Sequence, residues 1–82
     1  MRTTIVINED TTPRDYPPTT MFLLIERVAE IVDGWYAERR IDWEDVWDRL
    51  ESQGVTNHIE VEINSIDSPL QRHLKKYVLF TR

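Results

Sequence analysis

Eighty-two residues, with fifteen acidic against ten basic side chains, three Trp, three Tyr, two Phe and no cysteine, make one domain spanning 1–82, whose core is marginal unless it is well filled. Without cysteine there is neither a disulfide framework nor a thiolate metal site, and a net charge of −5 argues against general binding to a phosphate backbone while favouring a basic partner, or simply solubility. The longest apolar run, Met21 to Ile25, falls far short of a membrane span, and Met1-Arg2-Thr3-Thr4 lacks the features of a signal peptide, so the expectation is a cytoplasmic protein with no membrane association.

In chain order, Thr3 to Asn8 is short and β-rich, a strand with Ile5 and Ile7 on one face. Residues 9–19 form a polar, proline-containing loop near the length limit for a structureless connection, which makes it either mobile or functional. Pro17-Pro18 biases Tyr16 and Pro17 toward extended geometry. A helix should therefore start between Pro18 and Thr20 with a threonine cap, and Tyr16 should pack back under its first turn.

Thr20 to Glu38 reads as one long amphipathic helix around which the chain is organised. Met21, Phe22, Leu24, Ile25, Val28, Ala29, Ile31, Val32, Trp35 and Tyr36 fall on an arc of about half the circumference at 100° per residue. That is wider than an ordinary surface stripe, so the helix should touch neighbours on two sides. Leu23 alone breaks the pattern. Gly34 costs about 1 kcal/mol in a helix interior, yet Trp35 and Tyr36 continue the arc beyond it. Arg39 and Arg40 then suit the negative end of the helix dipole.

A second helix follows a short link. Asp42 is its expected cap, Glu44 and Asp45 its acidic first turn, and Gly54 its left-handed terminator. Trp43, Val46, Trp47 and Leu50 keep helical spacing, which predicts a tight hairpin with Trp43 and Trp47 facing Trp35 and Val32. Asn57 to Asn64 alternates as a strand with Ile59, Val61 and Ile63 on one face. Ser68-Pro69-Leu70-Gln71 is a capping-box start for a short helix to about Lys75. Tyr77 to Thr81 can prolong that helix or form a third strand. The strand is preferred, because a two-stranded sheet is marginally stable alone. The expected fold is α+β in the order β-α-α-β-α-β, its helices packed on one face of a small sheet.

Chemistry is thinly represented. No serine sits in a glycine-flanked turn, and Gly34 and Gly54 both belong to helices, leaving no phosphate-cradling loop. His58, Glu60 and Glu62 share a strand face that permits metal ligation, although solvated polar residues explain the same pattern. No catalysis, cofactor or metal is expected. The acidic second helix is the more informative constellation. Asp42 with Asp45, and Glu44 with Asp48 and Glu51, form two rows with Arg49 as the only cation. They read either as a capped, solvated face or as a docking surface for a basic partner, with Trp43 as an incompletely covered anchor.

The run Glu44-Asp45-Val46-Trp47-Asp48-Arg49-Leu50 is similar to the acidic, Trp-containing second helix of the barstar family of ribonuclease inhibitors. The expected strand–helix–helix–strand opening and the terminal strand resemble that family too, whereas the long first helix departs from it. The resemblance implies that Glu44 and Asp48 engage a basic active site. A helix-turn-helix DNA binder would instead place an acidic helix against phosphates. Only Arg72, Lys75, Lys76 and Arg82 suit nucleic acid, and four such bases more often balance neighbouring Glu60 and Glu62. The expected function is a small, acidic, non-enzymatic protein–protein interaction domain, an inhibitor or adaptor docking a basic partner through its second helix. The alternatives are a self-associating structural protein (a homo-oligomer paired through the wide apolar arc, or through Leu23) and a nucleic-acid binder acting through the basic C-terminal segment.

Overall fold

Residues 2–36 and 41–80 are described by the computed structural model, in which strands β1 (Thr3–Ile7) and β2 (Ile59–Ile63) lie side by side in parallel. Between them in sequence run helices α1 (Pro18–Tyr36) and α2 (Trp43–Gln53), and α3 (Pro69–Phe80) follows β2. Ile5 pairs with Val61 and Ile7 with Ile63, so strand alternation brings their side chains onto one face. That face joins Leu24, Val28 and Val32 of α1, Val46, Trp47 and Leu50 of α2, and Leu70, Leu74 and Val78 of α3 in a continuous apolar core. Thr4, Glu60 and Glu62 of the other face are exposed. The fold is α+β, a long helix and its partner helices packed against a small sheet.

A two-stranded sheet exposes two backbone edges, and this chain occupies both. The Thr3 N–H donates to the His58 carbonyl and the Asn64 N–H to that of Ile7. The backbone groups of Thr4 and Val6 therefore turn to the open side of β1. There the Tyr16 hydroxyl accepts from the Val6 N–H at 3.1 Å and donates to the Val6 carbonyl at 3.0 Å, while Thr11 Oγ1 accepts from the Asn8 N–H at 2.8 Å. On the far side of β2, the Val55 N–H donates to the Ile59 carbonyl and the Ile59 N–H to that of Thr56. A carboxylate oxygen of Glu51 takes the Ile63 N–H at 2.7 Å.

The loop over 9–19 is thus a built part of the fold. It contains a 3₁₀ turn, Pro13–Asp15, closed by a capping box with Thr12, and the buried Thr11 accepts the Leu70 N–H at the start of α3 through its carbonyl. Tyr16 packs part-buried against the core and reaches β1 with its hydroxyl. The helix α1 begins at Pro18, within the expected range, but Thr19 and Thr20 lie inside it, so neither is the expected threonine cap.

The expected third strand is instead helix. α3 runs to Phe80, burying Leu70, Gln71, Leu74 and Val78, a helical stripe that a strand would split between two faces. The reason is that Leu70, Leu74 and Val78 lie on one side of a helix and all join the core from there. The Ser68 hydroxyl accepts the Gln71 N–H as a cap at 3.0 Å, but the Gln71 side chain donates to the Ser65 carbonyl instead of closing the box. Thr81, like Ala37 and Glu38 of the expected first helix and Arg39 and Arg40 after it, lies outside the described residues.

Two positions on α1 exchange roles relative to the expected arc. Phe22 is 61 % exposed, and Leu23 packs half-buried against the core. The buried stripe centres on Met21, Leu24, Val28, Ile31 and Val32 and is narrower than half the circumference. Arg27 also leaves the solvent face, donating from Nε and a terminal nitrogen to the Val55 carbonyl at 3.2 and 3.0 Å and so tying α1 to the turn after α2. Trp47 is 3 % exposed, whereas Trp35 is only half-buried, with the Arg49 guanidinium 5.5 Å from its ring centre.

Candidate functional site

α2 is held at both ends by the residues expected to hold it. Asp42 is extended at φ −91°, and its carboxylate accepts from the Glu44 and Asp45 N–H groups at 3.1 and 3.4 Å, satisfying donors that a helix start leaves free. Gly54 ends the helix at φ +72°, donating its N–H to the Leu50 carbonyl. A Cβ there would stand 2.7 Å from the Ile59 carbonyl oxygen, so the close approach of α2's end to β2 requires glycine.

With Val46, Trp47 and Leu50 facing the core, helical geometry divides the acids into groups with different employment. Asp42 is the cap. Asp45 pairs with Arg49 at 2.8 Å, one turn on. Because the Arg49 guanidinium also covers Trp35, the single cation of α2 is committed to that side of the helix. Glu44, Asp48 and Glu51 follow the i, i+4, i+7 row on another side. There they line a cleft of about 560 Å³ whose remaining walls are Trp47, Ile63, Asn64, Ser65 and the 64 % exposed Ile66. Glu51 spends one oxygen on the Ile63 N–H. Glu44 and Asp48 meet no cation among the described residues. Like charges at this spacing repel by a few tenths of a kcal/mol per pair, and a guest cation would relieve that repulsion.

Of the six residues expected to form the site, three therefore share the cleft, and Asp42, Trp43 and Asp45 do not line it. Trp43 packs half-buried with its ring 5.5 Å from that of Trp47 and the Lys75 ammonium 5.6 Å from its centre. The opposite wall, Asn64 to Ile66, carries no sequence signal beyond an isoleucine set between polar turn residues. The Trp47 indole nitrogen is buried without an acceptor among the described residues.

The remaining candidates are dispersed. Glu60 pairs with Arg2 at 2.6 Å, and Glu62 accepts from the Asn64 side-chain amide. No group of three side chains placed to hold a metal occurs among the described residues. Arg72 faces Asp67 at 3.6 Å and Lys75 faces Trp43, so these two bases do not balance Glu60 and Glu62 as expected; Arg82 lies outside the described residues. No helix among the described residues is long and apolar enough to cross a membrane.

Comparison of the chain with protein-family models, with curated proteins and with solved structures returns no match. The similarity to the barstar family accordingly remains a likeness of seven residues, Glu44 to Leu50. Its terminal-strand component falls away, because helix occupies that position.

Proposed function

We propose that this chain is a non-enzymatic protein–protein interaction domain of the cytoplasm, an inhibitor or adaptor that docks a basic partner in the cleft beside α2. One observation carries the reading. Glu44 and Asp48 stand beside Glu51 in a concave surface, while the only cation of α2 is held elsewhere by Asp45 and Trp35. A carboxylate pair with no cationic partner among the described residues gains from an arriving Arg or Lys without first breaking an ion pair there. The apolar wall of Ile63 and Ile66 gives a long cationic side chain a surface for its methylene stem.

The test is affinity capture from a lysate of the source organism, with wild type and Glu44→Gln/Asp48→Asn as parallel baits. Exposed carboxylates contribute little to stability, so the variant keeps the fold. A basic protein held by wild type, released by salt and lost from the variant supports docking. Equal capture by both baits rejects it.

A further inference from the structure

The outer face of α3 is complementary to the cleft. His73, Lys76, Tyr77 and Phe80 follow helical spacing and border a shallow depression of about 310 Å³. Phe80 is 79 % and Tyr77 48 % exposed, and Lys76 is exposed with no acidic partner among the described residues. Exposed aromatic side chains grouped on one face mark an interaction surface. The acidic cleft has the converse composition, Glu44 and Asp48 with no cationic partner among the described residues next to exposed Ile66. One chain thus carries both halves of an apolar contact rimmed by opposite charge.

We propose that α3 of a second copy of this chain seats on the α2 cleft, Lys76 meeting Glu44 and Asp48 while Phe80 and Tyr77 cover Ile66. The proposal rests on the cleft being a cation-docking surface, and it names the partner. Single-stranded nucleic acid is the less favoured occupant of the α3 face. Arg72 is already paired with Asp67 and Lys75 is turned to Trp43, which leaves too few bases to hold a phosphate backbone on a chain of net charge −5. Two different surfaces in contact make a head-to-tail association, which grows with concentration unless its rotation closes.

Sedimentation velocity on the full chain across a concentration series tests this. Wild type should show a sedimentation coefficient that rises with concentration, and an apparent dissociation constant roughly tenfold or more higher at high salt. Glu44→Lys/Asp48→Lys loses the cleft and Lys76→Glu/Phe80→Glu loses the α3 face. Each should stay monomeric alone, and an equimolar mixture should give a 1:1 complex, since one working surface of each kind remains. Circular dichroism and denaturant midpoints matching wild type establish that the variants are folded, and Glu44→Gln/Asp48→Asn provides a milder version of the first. Monomeric wild type throughout, or mixed variants that do not associate, overturns the proposal. An oligoarginine peptide separates the two claims. Saturable binding by a strictly monomeric wild type, lost in Glu44→Gln/Asp48→Asn, overturns self-association and leaves the cleft reading standing. No peptide binding together with no association removes both. A monomer that binds a single-stranded oligonucleotide through Lys76 and Phe80 also overturns the proposal.

Discussion

Trp35 and Trp47 hold equivalent places on the apolar faces of their helices, yet the fold treats them differently. Trp47 is enclosed between α2 and the core, with Trp43 against it. Trp35, near the end of α1, is half-covered and has the Arg49 guanidinium beside its ring. Trp47→Ala should therefore cost about 3–5 kcal/mol, the range for emptying a large core site. Trp35→Ala should cost about 1–2 kcal/mol, because less area leaves the core and a cation–π contact is worth about 0.5–1 kcal/mol at exposed sites. Denaturant midpoints compare the two directly, and equal losses would place Trp35 in the core. Periodicity identifies the face each Trp occupies. It cannot report how far a neighbour extends over that face, which is also why Phe22 and Leu23 read the wrong way round.

At the scale of the elements, the sheet is sustained by what closes its edges. Tyr16 serves the outward N–H and carbonyl of Val6 with one hydroxyl. Tyr16→Phe should cost about 1–2 kcal/mol, since it leaves two backbone groups of a part-buried strand without their partner, and amide exchange at Val6 should accelerate. Unchanged protection at Val6 would show that solvent, not Tyr16, satisfies that edge. Both strands, the first two helices, the Asp42 cap and the Gly54 terminator were legible in local pattern, because each rests on the periodicity or backbone chemistry of a few adjacent residues. The loop over 9–19 was not, since its order depends on β1 and α3, far away in sequence. The last element was ambiguous for the same reason. Tyr77 to Thr81 satisfies strand composition and helix spacing alike, and only the burial of Leu74 and Val78 in the common core decides for helix.

For the whole molecule, excess acid matters less than where cations are spent. Arg2 goes to Glu60, Arg72 to Asp67, and Arg49 to Asp45 and Trp35. Glu44 and Asp48 are left facing solvent across a concave surface. The acidic row was legible from helical spacing, and the Asp45–Arg49 pair follows from the same rule. The far wall at Asn64–Ile66 was not, because it meets α2 only through the position of β2. The central claim, that this cleft rather than the general negative charge receives cations, is tested most directly by titrating the isotope-labelled chain with an oligoarginine peptide and following backbone amide shifts. Perturbations should concentrate at Glu44–Glu51 and Asn64–Ile66, weaken as salt rises, and vanish in Glu44→Gln/Asp48→Asn. Shifts spread equally over Glu9, Asp10, Glu26 and Glu30, or unaltered in that variant, would contradict it.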